Sequence, residues 1–261
     1  KKYKNKTKKI FLINKKKKCK KIIKEKIINS KELIEVDEFS KKIFDLKGKR
    51  FITDEKSCSI FYEKLIKSKF RIIKKKDPTY ILKSIKNKTE INNMIKTHII
   101  DGVALTKFIY WIKNINKKKI TEVQAQNKLE KFRKMNKNYL YPSFDTIAGS
   151  GKNGAIVHYR ANKKNCKIIE KKDIFLCDSG GQYKYGTTDV TRTICFSSPK
   201  KNIKDVFTKV LKGHIAVVNS NLNKDNTGKK IDIHARKFLK KDNLDYAHGT
   251  GHGVGFFLNV Y

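Results

Sequence analysis

Arginine is scarce in this chain: six of its 63 basic residues are Arg (50, 71, 133, 160, 192 and 236), and all the others are Lys. Base-specific recognition of nucleic acid uses planar, bidentate guanidinium forks, so a Lys excess without interleaved aromatics excludes a specific nucleic-acid reader. A net charge of +39 still allows non-specific attraction to phosphate or to an anionic membrane surface. That charge is unevenly spread, however: residues 1–139 carry +28 and residues 140–261 only +11. The excess resembles the Lys/Asn/Ile bias of an AT-rich coding sequence, solvated and remote from the motifs below. The five cysteines (19, 58, 166, 177, 195) form no close pair, which excludes a cysteine zinc clamp and dithiol redox chemistry. Reduced structural thiols of a cytosolic protein fit them best. No apolar run approaches the roughly 20 residues that span a bilayer, so no membrane partner is expected. The Lys-rich start has neither an initiator Met nor a signal-peptide core, only the apolar island 10–13, and the chain is expected to be an inner piece of a longer polypeptide. Glutamate is absent after Glu170.

What is present is a chain of 261 residues with 38% apolar side chains, enough for a real core. Residues 1–35 are Lys-dominated and weakly patterned, and are expected to be poorly ordered. Residues 36–86 alternate strand (50–53), helix (58–66) and strand (70–73), an α/β rhythm that Asp77-Pro78 interrupts. From Thr89, a candidate N-cap, apolar positions 91, 94, 95, 99, 105, 108, 109 and 112 predict a long helix. Thr121 with Gln124 reads as a capping box opening a second helix whose Ala125, Leu129 and Phe132 share a face. Beyond Pro142 the pattern turns to strands at 147–151, 155–159 and on both sides of a Gly-rich turn near 180. Helices at 203–222 and 231–239 follow Pro199. The whole reads as α+β, with a second domain over 87–261.

The chemistry is concentrated in two stretches. His248-Gly-Thr-Gly-His252-Gly-Val-Gly255 places two imidazoles four residues apart among four glycines, leaving the backbone open to close approach. Asp178 and Asp189 lie eleven residues apart, each embedded in strand-forming residues. Carboxylates with imidazole and no nearby thiolate suit Mn²⁺, Co²⁺ or Zn²⁺. Taken singly, Asp178 could be a turn former, Asp189 a surface residue and the histidines loop residues bonded to backbone; together they outline a metal site. His98, His214 and His234 fall on helices and read as ordinary face or core residues.

Several motifs occur in order and register: 142–147 (Pro-Ser-Phe-Asp-Thr-Ile), 153–159 (Asn-Gly-Ala-Ile-Val-His-Tyr), the two aspartate stretches, 210–217 and the Gly-His segment. Over about residues 45–261 the chain resembles aminopeptidase P, the Xaa-Pro aminopeptidases of the pita-bread metallopeptidases. The resemblance implies a pita-bread catalytic fold, incomplete at its C-terminus, preceded by the end of a creatinase N-terminal-like α/β domain. It implies two divalent ions, Mn²⁺ first, with Asp178 holding one, Asp189 bridging and His252 binding the other. His158 and His248 correspond to pocket histidines that position the scissile bond, and Tyr261 stands where the family has a third. The two family glutamates beyond that point have no counterpart here, so this chain alone is expected to be inactive. Implied partners are peptides with proline at position two and a second copy in a homodimer; the compartment is the cytoplasm, or alternatively a digestive vacuole. The competing functional readings are a catalytically dead module that binds peptides or proteins and a basic nucleic-acid-associated protein.

Overall fold

The computed structural model describes residues 12–115, 119–258 and 260, and the chain divides into two compact units, Lys1–Tyr80 and Ile81–Tyr261. In the first, β1 (Leu12–Ile13), α1 (Lys16–Lys24) and β2 (Leu33–Ile34) form a small parallel pair, so the described part of the Lys-rich segment carries regular structure. After α2 (Phe39–Asp45), a second parallel pair, β3 (Arg50–Thr53) and β4 (Arg71–Lys74), is linked through α3 (Ile60–Lys67). Two parallel strands need such a crossover, and the α/β rhythm read from the sequence is this arrangement. Ile43, Ile66 and Phe70 form the buried centre, with Phe51 and Ile72 packed against it. Helix α4 (Pro78–Ser84) runs over the boundary between the units.

The second unit opens with α5 (Lys88–Lys113) and α6 (Glu122–Lys134). The cap of α5 is Asn87, not Thr89: Asn87 Oδ1 accepts from the Glu90 amide and the Glu90 carboxylate accepts from the Asn87 amide. Asn87 wins because its box partner lies three residues on, whereas Thr89 is followed at that distance by Asn92. Thr121 and Gln124 form the expected box on α6. Only the C-terminal half of α5's apolar stripe is buried (Leu105, Phe108, Ile112), and Ile91, Ile95 and Ile99 are exposed.

The strands are β5 (Tyr139–Pro142), β6 (Ile147–Ser150), β7 (Ile174–Ser179), β8 (Gly181–Tyr183), β9 (Gly186–Thr187) and β10 (Val190–Cys195). They make two antiparallel sheets, ordered β10-β7-β6 and β5-β8-β9. Phe175, Cys177 and Ser179 point from β7 into the core, where Phe175 meets Phe108 with ring centroids 6.5 Å apart. Full burial of each such ring contributes about 1.5–3 kcal/mol. Period-two alternation then turns Asp178 to the opposite face. Residues 155–159, expected as a strand, instead continue a 3₁₀ turn (Gly151–Ala155), and His158 has φ +55°. The apolar pair Ile156-Val157 suggested a strand, but both are half exposed and pair with nothing. Helices α7 (Lys201–Val218) and α8 (Gly228–Lys240) cross where Gly213 meets the Ala235 carbonyl, an approach that no side chain at 213 would allow. Among the described residues no helix is long and apolar enough to cross a membrane.

Candidate metal and substrate site

Asp178 and Asp189 share a face because of strand register. Asp178 pairs with Thr191 across the β7–β10 ladder, and Asp189 lies two residues before Thr191. Residues i and j−2 of an antiparallel pair are same-face diagonal neighbours, within reach of each other's charge. The Asp189 carboxyl is accordingly held above the ordinary carboxylate range, by its burial first and by the Asp178 charge second, while His252 and His98 pull it down. Thr191 Oγ1 donates to Asp178 Oδ1 at 2.8 Å, fixing that carboxylate.

The Gly-His segment brings His252 to this pair: its Nε2 stands 3.5 Å from Asp189 Oδ2, and its Nδ1 is 3.1 Å from the Gly253 carbonyl. A ring with Nδ1 on a carbonyl turns Nε2, the other nitrogen, toward the carboxylate side as the ligand atom. The donor types therefore suit a divalent ion. Among the described residues, however, no three His, Cys, Asp or Glu side chains converge closely enough to hold one. The structure pairs Asp189 with His252 and with the field of Asp178, and stops short of a closed ligand set.

The two histidines expected to line a substrate pocket, His158 and His248, are held separately. His158 lines a cavity of about 380 Å³ together with Tyr141, Phe144, Asp145 and Arg160. A positive φ is tolerated by His better than by most residues. The turn that carries it is anchored by Glu122, a fully buried carboxylate at the start of α6. Glu122 accepts from the Ser150 amide (2.7 Å), the Lys167 amide (2.9 Å), Asn153 Nδ2 (3.0 Å) and Tyr159 Oη (2.8 Å). His248 is exposed, its Nδ1 is 2.8 Å from the Gly249 carbonyl, and its ring stacks on Tyr246 at 4.7 Å. Tyr261 lies outside the described residues.

Sequence reasoning gave no site role to Glu122, His98 or Arg236. Glu122 was hidden as a capping-box interior residue, although Asn153 and Tyr159 flanking His158 were possible partners. His98, read as an ordinary face residue, bonds Met94 O through Nδ1 (2.9 Å), and its charge acts on Asp189. Arg236 was visible only as one of six arginines.

Tyr159 yields a pH prediction. Burial first, and then its bond to Glu122, push its phenol up to about 12 from 10. The folded state holds this proton more tightly than the unfolded state does, so its stabilisation is complete below pH 10 and is lost as pH rises from 10 through about 12. Tyr159→Phe should therefore melt below the wild type at pH 8, and the gap should close between pH 10 and 12. Thermal melts of both proteins over this range check it; a constant gap would remove the phenol from the account.

Residues 92–261 match metallopeptidase family M24. A probable Xaa-Pro aminopeptidase P of Paracoccidioides brasiliensis (strain Pb03) is 50% identical over 189 residues, 71% of this chain and 31% of that protein. The corresponding protein of Podospora anserina is 44% identical over 220 residues, 83% of this chain and 32% of its own length. This chain thus spans about a third of the curated relatives it matches. Among solved structures, the X-prolyl aminopeptidase of Caenorhabditis elegans, described as a cytosolic enzyme with a di-nuclear active site, superposes with a TM-score of 0.76 at 26% identity. That match covers 94% of this chain and 41% of the worm protein. The prolidase of Pyrococcus furiosus gives 0.70 at 27% identity, over 88% and 67%. The α+β arrangement is that of the pita-bread fold, part of which this chain provides.

Proposed function

We propose, because this chain belongs to metallopeptidase family M24, that it supplies the Asp-His part of the active site of an Xaa-Pro aminopeptidase, an enzyme releasing the first residue from peptides with proline second. The observation that carries this reading is the same-face pair Asp178 and Asp189 with His252 3.5 Å from the latter, in a chain 44–50% identical to probable aminopeptidases P. Asp178 would hold one of two divalent ions, Asp189 would bridge both, and His252 would hold the second, with Mn²⁺ the first candidate and Zn²⁺ or Co²⁺ the alternatives. Such ions supply a polarised scissile carbonyl and a water acidified to near neutrality. His158 and His248 are the groups of this chain that would orient the scissile bond and hold a proton at its oxygen or nitrogen, with Tyr261 a third, donating a hydrogen bond. The first unit would be the end of the preceding α/β domain. Assembly as a homodimer and work in the cytoplasm belong to the same proposal.

With no three donor side chains converging among the described residues, the chain by itself should bind Mn²⁺ weakly and cleave nothing. A protein that extends this chain to the length of its curated relatives should release the N-terminal residue from an Xaa-Pro peptide when supplied with Mn²⁺, and not from the Xaa-Ala counterpart. Asp189→Ala in that protein should cost at least about 100-fold in kcat/KM, since even ligand-supporting residues are worth 10–100-fold. Peptide hydrolysis and Mn²⁺ calorimetry check both statements. Retention of Mn²⁺ without cleavage by the longer protein would favour the second reading, a module that binds peptides without hydrolysing them.

A further inference from the structure

We propose that Arg236 is a positioning residue for the Gly-His segment, setting where His248 and His252 stand; this rests on the reading of those histidines as site residues. Among its described residues, the segment after α8 has no helix or strand of its own. A Cβ added at Gly249, Gly251 or Gly253 would meet nothing within 4 Å, so side-chain packing does not hold this backbone either. What holds its start is one guanidinium projecting from α8. Arg236 Nε donates to both Asp232 carboxylate oxygens at 2.9 Å, one helical turn earlier. Its Nη1 donates to Asp245 Oδ1 and to the Tyr246 carbonyl, each at 2.7 Å, and its Nη2 donates to the His248 carbonyl at 2.9 Å.

Aromatic contacts extend the same hub. The guanidinium carbon lies 3.9 Å from the centroid of the Tyr246 ring, which in turn stacks on the His248 imidazole with planes 27° apart. Thr250 Oγ1 meets Tyr246 Oη and donates to Asp232, the residue that orients Arg236. Two carbonyls, two carboxylates and one ring are thereby tied to a single planar group, and the histidine between the two tied stretches has its backbone direction set. Only a rigid fork with five N–H donors reaches these partners at once; an ammonium has three donors and no plane to stack.

The test uses the whole 261-residue chain with ¹⁵N-labelled histidine, whose six imidazoles report separately. In Arg236→Lys the His248 and His252 signals should shift and broaden, while those of His98, His158, His214 and His234 stay in place. Arg236→Ala should show the same loss, and added methylguanidinium should restore the two signals by refilling the vacated position. In the longer, metal-loaded protein Arg236→Lys should lower kcat about 10–100-fold, the range seen for residues that orient ligands, with little change in KM. His248 and His252 signals identical to wild type in Arg236→Lys would overturn the inference, as would disturbance spread over all six histidines without methylguanidinium rescue. The imidazole readout needs neither metal nor turnover. A longer wild-type protein without peptidase activity would therefore sink the proposed function and leave this result standing, and unmoved signals beside an active longer enzyme would do the reverse.

Discussion

Asp101→Ala is expected to destabilise the second unit by about 3–5 kcal/mol, the cost of leaving a buried charge without its partner. Asp101 of α5 and Arg133 of α6 are both fully buried and joined by two bonds, Nε to Oδ1 at 2.7 Å and Nη2 to Oδ2 at 3.1 Å. Burial opposes the Arg133 charge, and the Asp101 charge and hydrogen bonds outweigh it, so the guanidinium is held above its ordinary value and cannot escape by losing its proton. Asp101 Oδ1 also accepts from Tyr183 Oη at 2.7 Å, and Arg133 Nη2 donates to Ser179 Oγ at 3.0 Å. One ion pair thus ties both helices to β7 and β8, and Ser179 is the residue next to Asp178. Arg133 Nη1 is already buried without a hydrogen-bond partner, so the site has no spare acceptor to take over. Asp101→Leu with Arg133→Met should recover part of the loss, because replacing both charges by apolar groups removes the desolvation cost, while the buried Tyr183 hydroxyl is still left without its acceptor. Urea unfolding of the single and double variants decides: a loss below about 1 kcal/mol for Asp101→Ala would mean that water reaches the pair.

How much of this was legible in the sequence follows from how local each cause is. The capping box of α6, strands β3 and β7 and helices α7 and α8 rest on residues within a turn or a strand of one another, and the sequence pattern located them. The closeness of Asp178 and Asp189 was legible for a related reason: a Gly-rich turn between strands of fixed register puts residues 178 and 189 on one face. The strand expected at 155–159 failed because its apolar character was local while its conformation is set from outside. Glu122, some thirty residues upstream, captures Asn153 and Tyr159 and closes the segment into a turn. Long-range polar hubs leave no periodicity to read. The composition did carry one faint signal: where nearly every basic residue is Lys, Arg133 and Arg236 are positions at which a planar fork bonds several partners at once. The exposed half of α5's apolar stripe marks the limit of periodicity, since spacing shows that residues share a face, not that anything covers it.

Glu122→Gln and Glu122→Ala separate shape from charge at the other hub. Oε1 accepts from the Ser150 amide, and Oε2 from the Lys167 amide and Tyr159 Oη, with Asn153 Nδ2 shared between them. A glutamine has the same outline and only one acceptor oxygen. Facing Ser150 with that oxygen, it sets an NH₂ against the Lys167 N–H; turned round, it sets the NH₂ against the Ser150 N–H. The Tyr159 hydroxyl can rotate to accept, but a backbone amide cannot, so either orientation leaves one buried donor unsatisfied, at about 1–3 kcal/mol. Alanine leaves two amides, an amide side chain and a phenol without their shared acceptor and opens a cavity, with an expected loss of about 3–5 kcal/mol. Urea midpoints should fall in the order wild type, Glu122→Gln, Glu122→Ala. The imidazole signal of His158, which the anchored turn presents to its cavity, should move in both variants while those of His214 and His234 on α7 and α8 stay still. Equal stability of the wild type and Glu122→Gln would mean that packing alone holds the turn, and the position of His158 would then need another cause.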